Sequence, residues 1–555
     1  MSAFAGAAGR QFPATEEALG HVLARPGLAE PRRWRAPGVL LVHRQRISTP
    51  EDRRERQPTA RLDWVLAFDG RLDNRDDLAR SLGMRVQGVP DSALILAALS
   101  RWGAQAPRHL IGPFAIAAWN RQKGSLLLAR DAMGERALFV HQGAGRLAFA
   151  TTPAALLALP EVSAELDEDC LRRFLTEKPA ARGQTFFRDI AHVPAAECWQ
   201  WEGQRLHRER FWAPPPKSRL RRAEVVEAAR EALDTAVAAS LRSDGPVVCT
   251  ASAGLDSAGV AGTAARLLAP APLAAVTVVP HPGQTWPQHR HRIYDERPAV
   301  EALAAMHPNL AAHFVPGPDP AVTPMTSEPR FAALFTPIRN VINWEWHAKA
   351  NLAASAMGAR VILQGGGGNF FLSRNSSRGG RLRRWTLTPP PDWDLVFWMV
   401  AQFGEANALM RGLWPAENRA PVLDLRLVNT CLAASERMYL NRGLARRALA
   451  DRLPRAQARD RRLGIQCPEW FQYLIAWRDQ FRCEIDRFAD VPLARRMLDL
   501  PELRRLLDDW PADAEAAQRQ VGAYLIGLPR AIEAGRFILW AENGMPGALP
   551  GAPQA

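Results

Sequence analysis

A chain of 555 residues with 47% hydrophobic side chains has material for two or three cores, yet nowhere an unbroken apolar run of membrane-spanning length. Its net charge of +14 comes almost wholly from arginine, because Lys123, Lys178, Lys217 and Lys349 are the only lysines. The arginine runs 219–222 and 381–384 come without a nucleic-acid-binding motif, so they read as solvated faces and no nucleic-acid partner is expected. Cys170, Cys198, Cys249, Cys431, Cys467 and Cys483 form no Cys-x-x-Cys pair, which excludes an obvious zinc site or disulfide framework. The start Met1-Ser2-Ala3-Phe4-Ala5-Gly6 lacks the basic and apolar regions of a secretion signal, so a cytoplasmic protein is expected.

The first sixty residues carry no usable pattern. Beyond them, Trp64–Phe68 reads as a strand ending at the Asp69-Gly70 turn, and residues 74–82 and 92–102 read as helices. Phe114–Trp119 and Ser125–Ala129 read as paired strands around the polar turn 120–124, consistent with a layered α+β domain. Residues 214–218, Pro-Pro-Pro-Lys-Ser, make a stiff linker. Val226, Ala229, Leu233, Val237 and Leu241 then recur at spacings of three and four, which predicts an amphipathic helix over 221–242. Strands follow at 246–251, 274–279 and 360–364, with helices at 258–268 and 297–306 between them. That alternation predicts a doubly wound parallel sheet with ligands at the carboxyl ends of its strands.

Two turns on this second half carry the chemistry. Ser252-Ala253-Gly254-Leu255-Asp256-Ser257-Ala258 joins a strand to a helix, where backbone N–H groups, the helix dipole and two serine hydroxyls favour an anion. Asp256 would be costly beside phosphates unless it holds magnesium. The motif lacks the Gly-Lys-Ser/Thr ending of a Walker loop. Gly365-Gly366-Gly367-Gly368-Asn369 directly follows a buried strand, and four glycines there read as close backbone approach to a ligand.

The first of these turns resembles the pyrophosphate loop of the asparagine synthetase family, with Ala253 and Ala258 in place of a Gly and a Ser. In the first half, Phe68–Asn74, Gly112–Ala115 and Ala129–Leu138 resemble successive motifs of class II glutamine amidotransferases, and Thr185–Ile190 with Val193-Pro194 resembles the region where that domain joins the next. The resemblance implies an α+β glutaminase-like domain of the layered Ntn type over 1–213, the linker 214–218, and an α/β synthetase domain of the adenine nucleotide α-hydrolase kind over 219–555. It implies ATP held by Ala251, Ser252, Gly254, Leu255, Asp256, Ser257, Val278, Gln364, Gly365 and Gly367, and Mg2+ held by Asp256 and Asn369, with Asp256, Asn369 and Arg462 as the catalytic set.

The departures from the family narrow the expectation. Met1-Ser2 stands where a working glutaminase exposes an N-terminal cysteine, and Asp69 replaces the oxyanion-hole Asn, putting a carboxylate where negative charge would develop. Gly366 occupies the position that contributes to catalysis in several members, which leaves Glu405 as a substitute base, and Arg462 replaces the family's C-terminal lysine. With Asp424, Arg426-Leu427-Val428, Tyr439-Leu440, Gly443, Arg446, Leu453-Pro454 and the segment Arg461–Gln466 before Trp470, the chain resembles the lasso-peptide macrolactam cyclase branch. That branch implies an AMP-forming ligase joining an Asp or Glu side chain of a ribosomal precursor peptide to the peptide's own N-terminal amine. It also implies the leader peptidase and leader-recognition proteins of that pathway as partners. A small-molecule amide, β-lactam or asparagine synthetase is the competing enzyme, and an ATP- or peptide-binding pseudoenzyme the competitor from another class. Asp295-Glu296 reads as a helix cap, and Trp344, Trp346, Trp393 and Trp398 as core.

Overall fold

The computed structural model describes residues 2–9, 19, 28–143, 145–319, 327–375, 392–410 and 413–547; the arginine run at 381–384 lies outside them. The first half is built on strands β1 Ala3–Gly9, β2 Arg32–Ala36, β3 Val39–Arg44, β4 Thr59–Arg61, β5 Trp64–Gly70, β6 Phe114–Asn120, β7 Ser125–Arg130, β8 Phe139–Gly143, β9 Arg146–Ala150, β10 Ala191–His192, β11 Glu197–Glu202 and β12 Arg205–Arg210. They form two six-stranded antiparallel sheets, ordered β10-β8-β9-β1-β3-β2 and β12-β11-β7-β6-β5-β4. Alternate side chains separate two cores, as a period of two demands. Phe4, Val39 and Leu41 meet Val65, Ala67 and Leu128 between the sheets, whereas Ala5, Leu40 and Val42 on the opposite face join the helices of the second half. The outer face of the other sheet is covered by helices α1 Arg75–Leu82 and α2 Asp91–Trp102.

The second half adds β13 Val247–Thr250, β14 Leu273–Val279, β15 Arg292–Ile293, β16 Leu310–Pro316, β17 Val361–Leu363, β18 Glu417–Arg419 and β19 Leu463–Gly464. Five of them make a parallel sheet ordered β16-β14-β13-β17-β18. Helices α3 Arg222–Leu241 and α4 Leu255–Leu268 cover one face with Cys249 and Leu363, and Trp346 and Ala350 cover the other with Val248 and Ile362. The layered α+β and parallel α/β halves are therefore as the sequence predicts. Gly259 and Gly262 do not break α4; a Cβ there would fall 2.8 Å from Leu449 and 2.5 Å from the Arg452 carbonyl, so they let the 449–452 turn lie against the helix. Among the described residues no helix is long and apolar enough to cross a membrane.

The sheet order sets the site. β13 and β17 are adjacent and parallel, so the turns at their carboxyl ends, 251–257 and 364–370, meet at one edge of the sheet. β15 and β19 pair in a separate two-stranded ribbon nearby.

Candidate active site

The turn after β13 is pinned to the sheet by Ala251, whose N–H donates to Val276 O at 3.0 Å and whose carbonyl accepts from the Thr277 hydroxyl at 3.0 Å. Ser252 Oγ accepts from Gly254 N at 3.1 Å. Gly254 is the N-cap of α4, and Leu255, Asp256 and Ser257 form its first turn, whose N–H groups have no partner inside the helix. Leu255 and Val278 are buried and so shape the site from within the core.

Asp256 is the unusual member of this turn. One carboxylate oxygen accepts from the Ser373 hydroxyl, while Oδ1 is buried with no hydrogen-bond partner. Burial pushes its pKa up to about 6, with the Ser373 bond and the charge of Arg442 pulling the other way. A carboxylate oxygen buried without a partner costs stability. A hard divalent cation is the ligand that would satisfy it, so the residues present fit magnesium.

The four glycines are packed closely by their neighbours. A Cβ at Gly365 would stand 2.3 Å from Ser257 N, and one at Gly368 would stand 2.3 Å from Asp256 Oδ1. Gly366 is filled by the Phe403 ring, and Gly367, at φ +87°, by Leu423. The run lets the two turns that the neighbouring parallel strands β13 and β17 deliver to one place lie against each other. Gln364 anchors the turn through its N–H to Arg419 O at 2.9 Å. Asn369, next to Gly368, is exposed and faces solvent.

Three expectations change with the geometry. Arg462 is 53% exposed, and its guanidinium is already matched by Asp460 at 2.7 Å. Arg442, which the sequence did not single out, acts on Asp256 from nearby. It follows Asn441 in a pair of left-handed residues, φ 54° and 58°, a conformation that side chains adopt at a cost and that recurs at functional turns. Glu405 is not a free base, because it pairs with buried Arg130 at 3.0 Å and lies 3.7 Å from His192 Nδ1. It borders a largely apolar cavity of about 350 Å3 between the halves, which Phe403 also lines. Asp295 accepts from Arg297 N at 3.0 Å, but Glu296, which stands at the N-cap position of the helix Arg297–Met306, makes no side-chain cap.

The glutaminase-like motifs meet the second half at the start of β18. Arg71 pairs with Asp73 at 2.7 Å and reaches Glu417 of β18 at 3.6 Å. Arg136 pairs with Glu417 at 3.0 Å and stands 3.9 Å from Asp69. Arg46 donates to the Pro415 carbonyl. Burial raises Glu135 to about 8 beside Asp131.

Residues 1–212 match the family model for the glutamine amidotransferase domain, and residues 228–385 that for asparagine synthase. The chain is similar to glutamine-hydrolysing asparagine synthetase 3 of Bacillus subtilis, 26% identical over 260 residues that cover 45% of this chain and 42% of that protein. It is also similar to the amidase chyE of Penicillium rubens, 29% identical over 200 residues covering 35% of this chain and 29% of that one. These matches span less than half the length of either relative. Among solved structures, a glutamine phosphoribosylpyrophosphate amidotransferase from Bacillus subtilis aligns with 45% of this chain and 60% of its own at 15% identity and a TM-score of 0.29.

Proposed function

We propose that this chain, which matches the glutamine amidotransferase domain over residues 1–212 and asparagine synthase over residues 228–385, is an ATP-dependent amide-forming ligase of the asparagine synthase family whose amine is not ammonia. The observation that carries the ligase reading is the buried, unpaired Oδ1 of Asp256 at the N-terminus of α4. Asp256 would hold the magnesium that neutralises the departing pyrophosphate, and the α4 N-terminus and the Ser252 and Ser257 hydroxyls would orient it. Arg442 supplies positive charge beside that cradle.

The substrate we propose is a ribosomal peptide, and the product is a macrolactam of the lasso kind. An Asp or Glu side-chain oxygen attacks the α-phosphorus of ATP, the bond to the β-phosphate bridge breaks, and pyrophosphate leaves. The peptide's N-terminal amine then attacks the acyl carbon, AMP departs with the carboxylate-derived oxygen, and the amine loses a proton. Positioning both peptide ends supplies much of the acceleration. The ammonia route is disfavoured by Asp69 and by the engagement of Arg71, Asp73 and Arg136 in buried pairs. The leader peptidase and leader-recognition proteins of such a pathway are the proposed partners.

A heavy-oxygen label on the acceptor carboxylate tests this: it should appear in AMP, and the peptide should lose one water. ADP as product, or AMP without label, refutes adenylation. The second reading, a small-molecule amide synthetase, is favoured by the asparagine synthetase relative, and incorporation of free ammonia or a small amine would establish it.

A further inference from the structure

The cavity between the halves has aromatic walls and one cation that no acid matches. Phe174, Phe186 and Phe187 of the first half line it together with Phe335, Trp398 and Phe403 of the second, around about 350 Å3, a volume within the range of small-ligand pockets. Its acid, Glu405, is already paired with Arg130 at 3.0 Å, and burial lowers His192 to about 4, which keeps that ring neutral. Arg339 differs. Its guanidinium lies over the Trp398 ring at 4.4 Å, stands 5.8 Å from the Phe174 ring, and donates to Lys178 O at 3.2 Å. Among the described residues no carboxylate pairs with it, and Glu177, the acid whose charge reaches it, is held by Arg530. Trp398 adds an Nε1 that is buried without an acceptor.

A guanidinium stacked on an aromatic ring keeps its edge for hydrogen bonds, and its fork matches a carboxylate. The group that suits both these walls and this edge is a carboxylate carried by a large apolar body. Phe403 ties the cavity to the cradle: it lines the cavity, and a Cβ at Gly366 would fall 2.2 Å from its ring. A substrate long enough to meet both places is a peptide rather than a small acid. Resting on the peptide reading above, we propose that this cavity binds the C-terminus of the peptide substrate, with the terminal carboxylate on Arg339 and the Trp398 N–H and a large apolar last side chain against the phenylalanines. The pocket thereby selects peptides whose last residue is bulky and whose terminus is free.

The probes are N-acetylphenylalanine and its C-terminal amide, titrated calorimetrically into the full-length protein without ATP. They differ only at the terminal carboxylate, so the unmodified protein tests the charge whether or not any variant folds. The acid should bind about tenfold tighter than the amide, as a charge-assisted pair implies. Arg339→Met should erase that preference and Arg339→Lys, which keeps the charge without the fork, should retain part of it. N-acetylalanine should bind about tenfold more weakly than N-acetylphenylalanine, because it leaves the aromatic walls uncovered. Thermal unfolding reports whether each variant is folded. No binding of the acid, equal binding of acid and amide, or a preference that survives Arg339→Met overturns the proposal. Tighter binding of 3-phenylpropionate than of N-acetylphenylalanine overturns it as well, by assigning the cavity to a free aryl acid. If the acid is preferred as expected but no peptide yields labelled AMP, the terminus site stands and it is the ligase reading that fails.

Discussion

Arg136, from the first half of the chain, donates to Glu417 Oε1 of the second at 3.0 Å, and each side chain is 4% exposed. Glu417 also meets Arg71 at 3.6 Å and Arg419 at 3.0 Å, so one carboxylate touches three buried guanidinium groups at the seam, of which Arg71 is also paired with Asp73. Removing one partner of a buried pair strands the remaining charge, which costs about 3–5 kcal/mol. Glu417→Leu takes the carboxylate from Arg136 and Arg419 and leaves Arg71 only Asp73, whereas Arg136→Met leaves Glu417 with two guanidinium groups. The first variant should therefore lose more stability than the second in urea denaturation. Equal midpoints for both would deny Glu417 its central place.

The same seam bears on glutamine. Asp69 stands 3.9 Å from Arg136, inside a network that ties the glutaminase-like motifs to β18. A carboxylate at this position repels a developing oxyanion. Glutamine should be neither required nor hydrolysed, and purified protein should release no glutamate from it above a buffer control. Steady glutamate release would restore the amidotransferase activity.

Asp256 should trade stability for function. Its buried Oδ1 has no partner, and burial holds the carboxyl at about 6, above the ordinary range. Asp256→Asn keeps the shape and removes the charge. Substrate-dependent exchange of labelled pyrophosphate into ATP should vanish, while the melting temperature stays level or rises by a few degrees. Exchange at the wild-type rate would take Asp256 out of the mechanism.

Acid sensitivity should reside in part in His43. Burial lowers its pKa to about 4 from 6.5, Nε2 is 3.2 Å from Phe68 O, and Nδ1 has no partner. Between those values the unfolded chain binds a proton that the folded chain refuses. Stability is therefore fully present above pH 6.5 and falls as pH drops towards 4, by up to about 3 kcal/mol. His43→Gln should flatten that part of the stability profile. An unchanged slope would show that other groups set it.

The sequence disclosed what depends on local pattern. Period-two and helical spacing placed β5–β7, α3, α4, β14 and β17 close to where they stand. β1 escaped because Ala3–Gly9 is made of Ala, Gly and one Phe, with little strand propensity of its own. It is nevertheless central in its sheet, and a Cβ at Gly6 would fall 2.3 Å from Leu40 O and 2.6 Å from Phe149. Small residues are there because neighbours press close, which is a property of the fold and not of the segment. The same reason hid the packing role of Gly365–Gly368 and the pairing of Glu405 with Arg130, whose partners lie 275 positions apart.

Arg442 and Arg462 provide the sharpest division between motif and geometry. Arg462 occupies the family's lysine position by resemblance, but Asp460 matches its guanidinium and it is half exposed. Arg442 is presented by two consecutive left-handed residues to the neighbourhood of Asp256, and its charge favours the ionised carboxylate there. Strain of this kind persists when the surroundings hold it, and it is found at ligand clamps. If Arg442 meets the phosphates, Arg442→Met should lower kcat/KM by about a hundredfold, the range of a charge-assisted contact, and Arg442→Lys should recover a large part of it. Arg462→Met should cost less than about threefold, since an exposed pair is worth under about 1 kcal/mol. Melting curves separate folding damage from lost contact in each variant. Loss confined to Arg462→Met, with Arg442→Met near wild type, would return the role to the motif position and make the Asp460 pair a feature of the ATP-free protein alone.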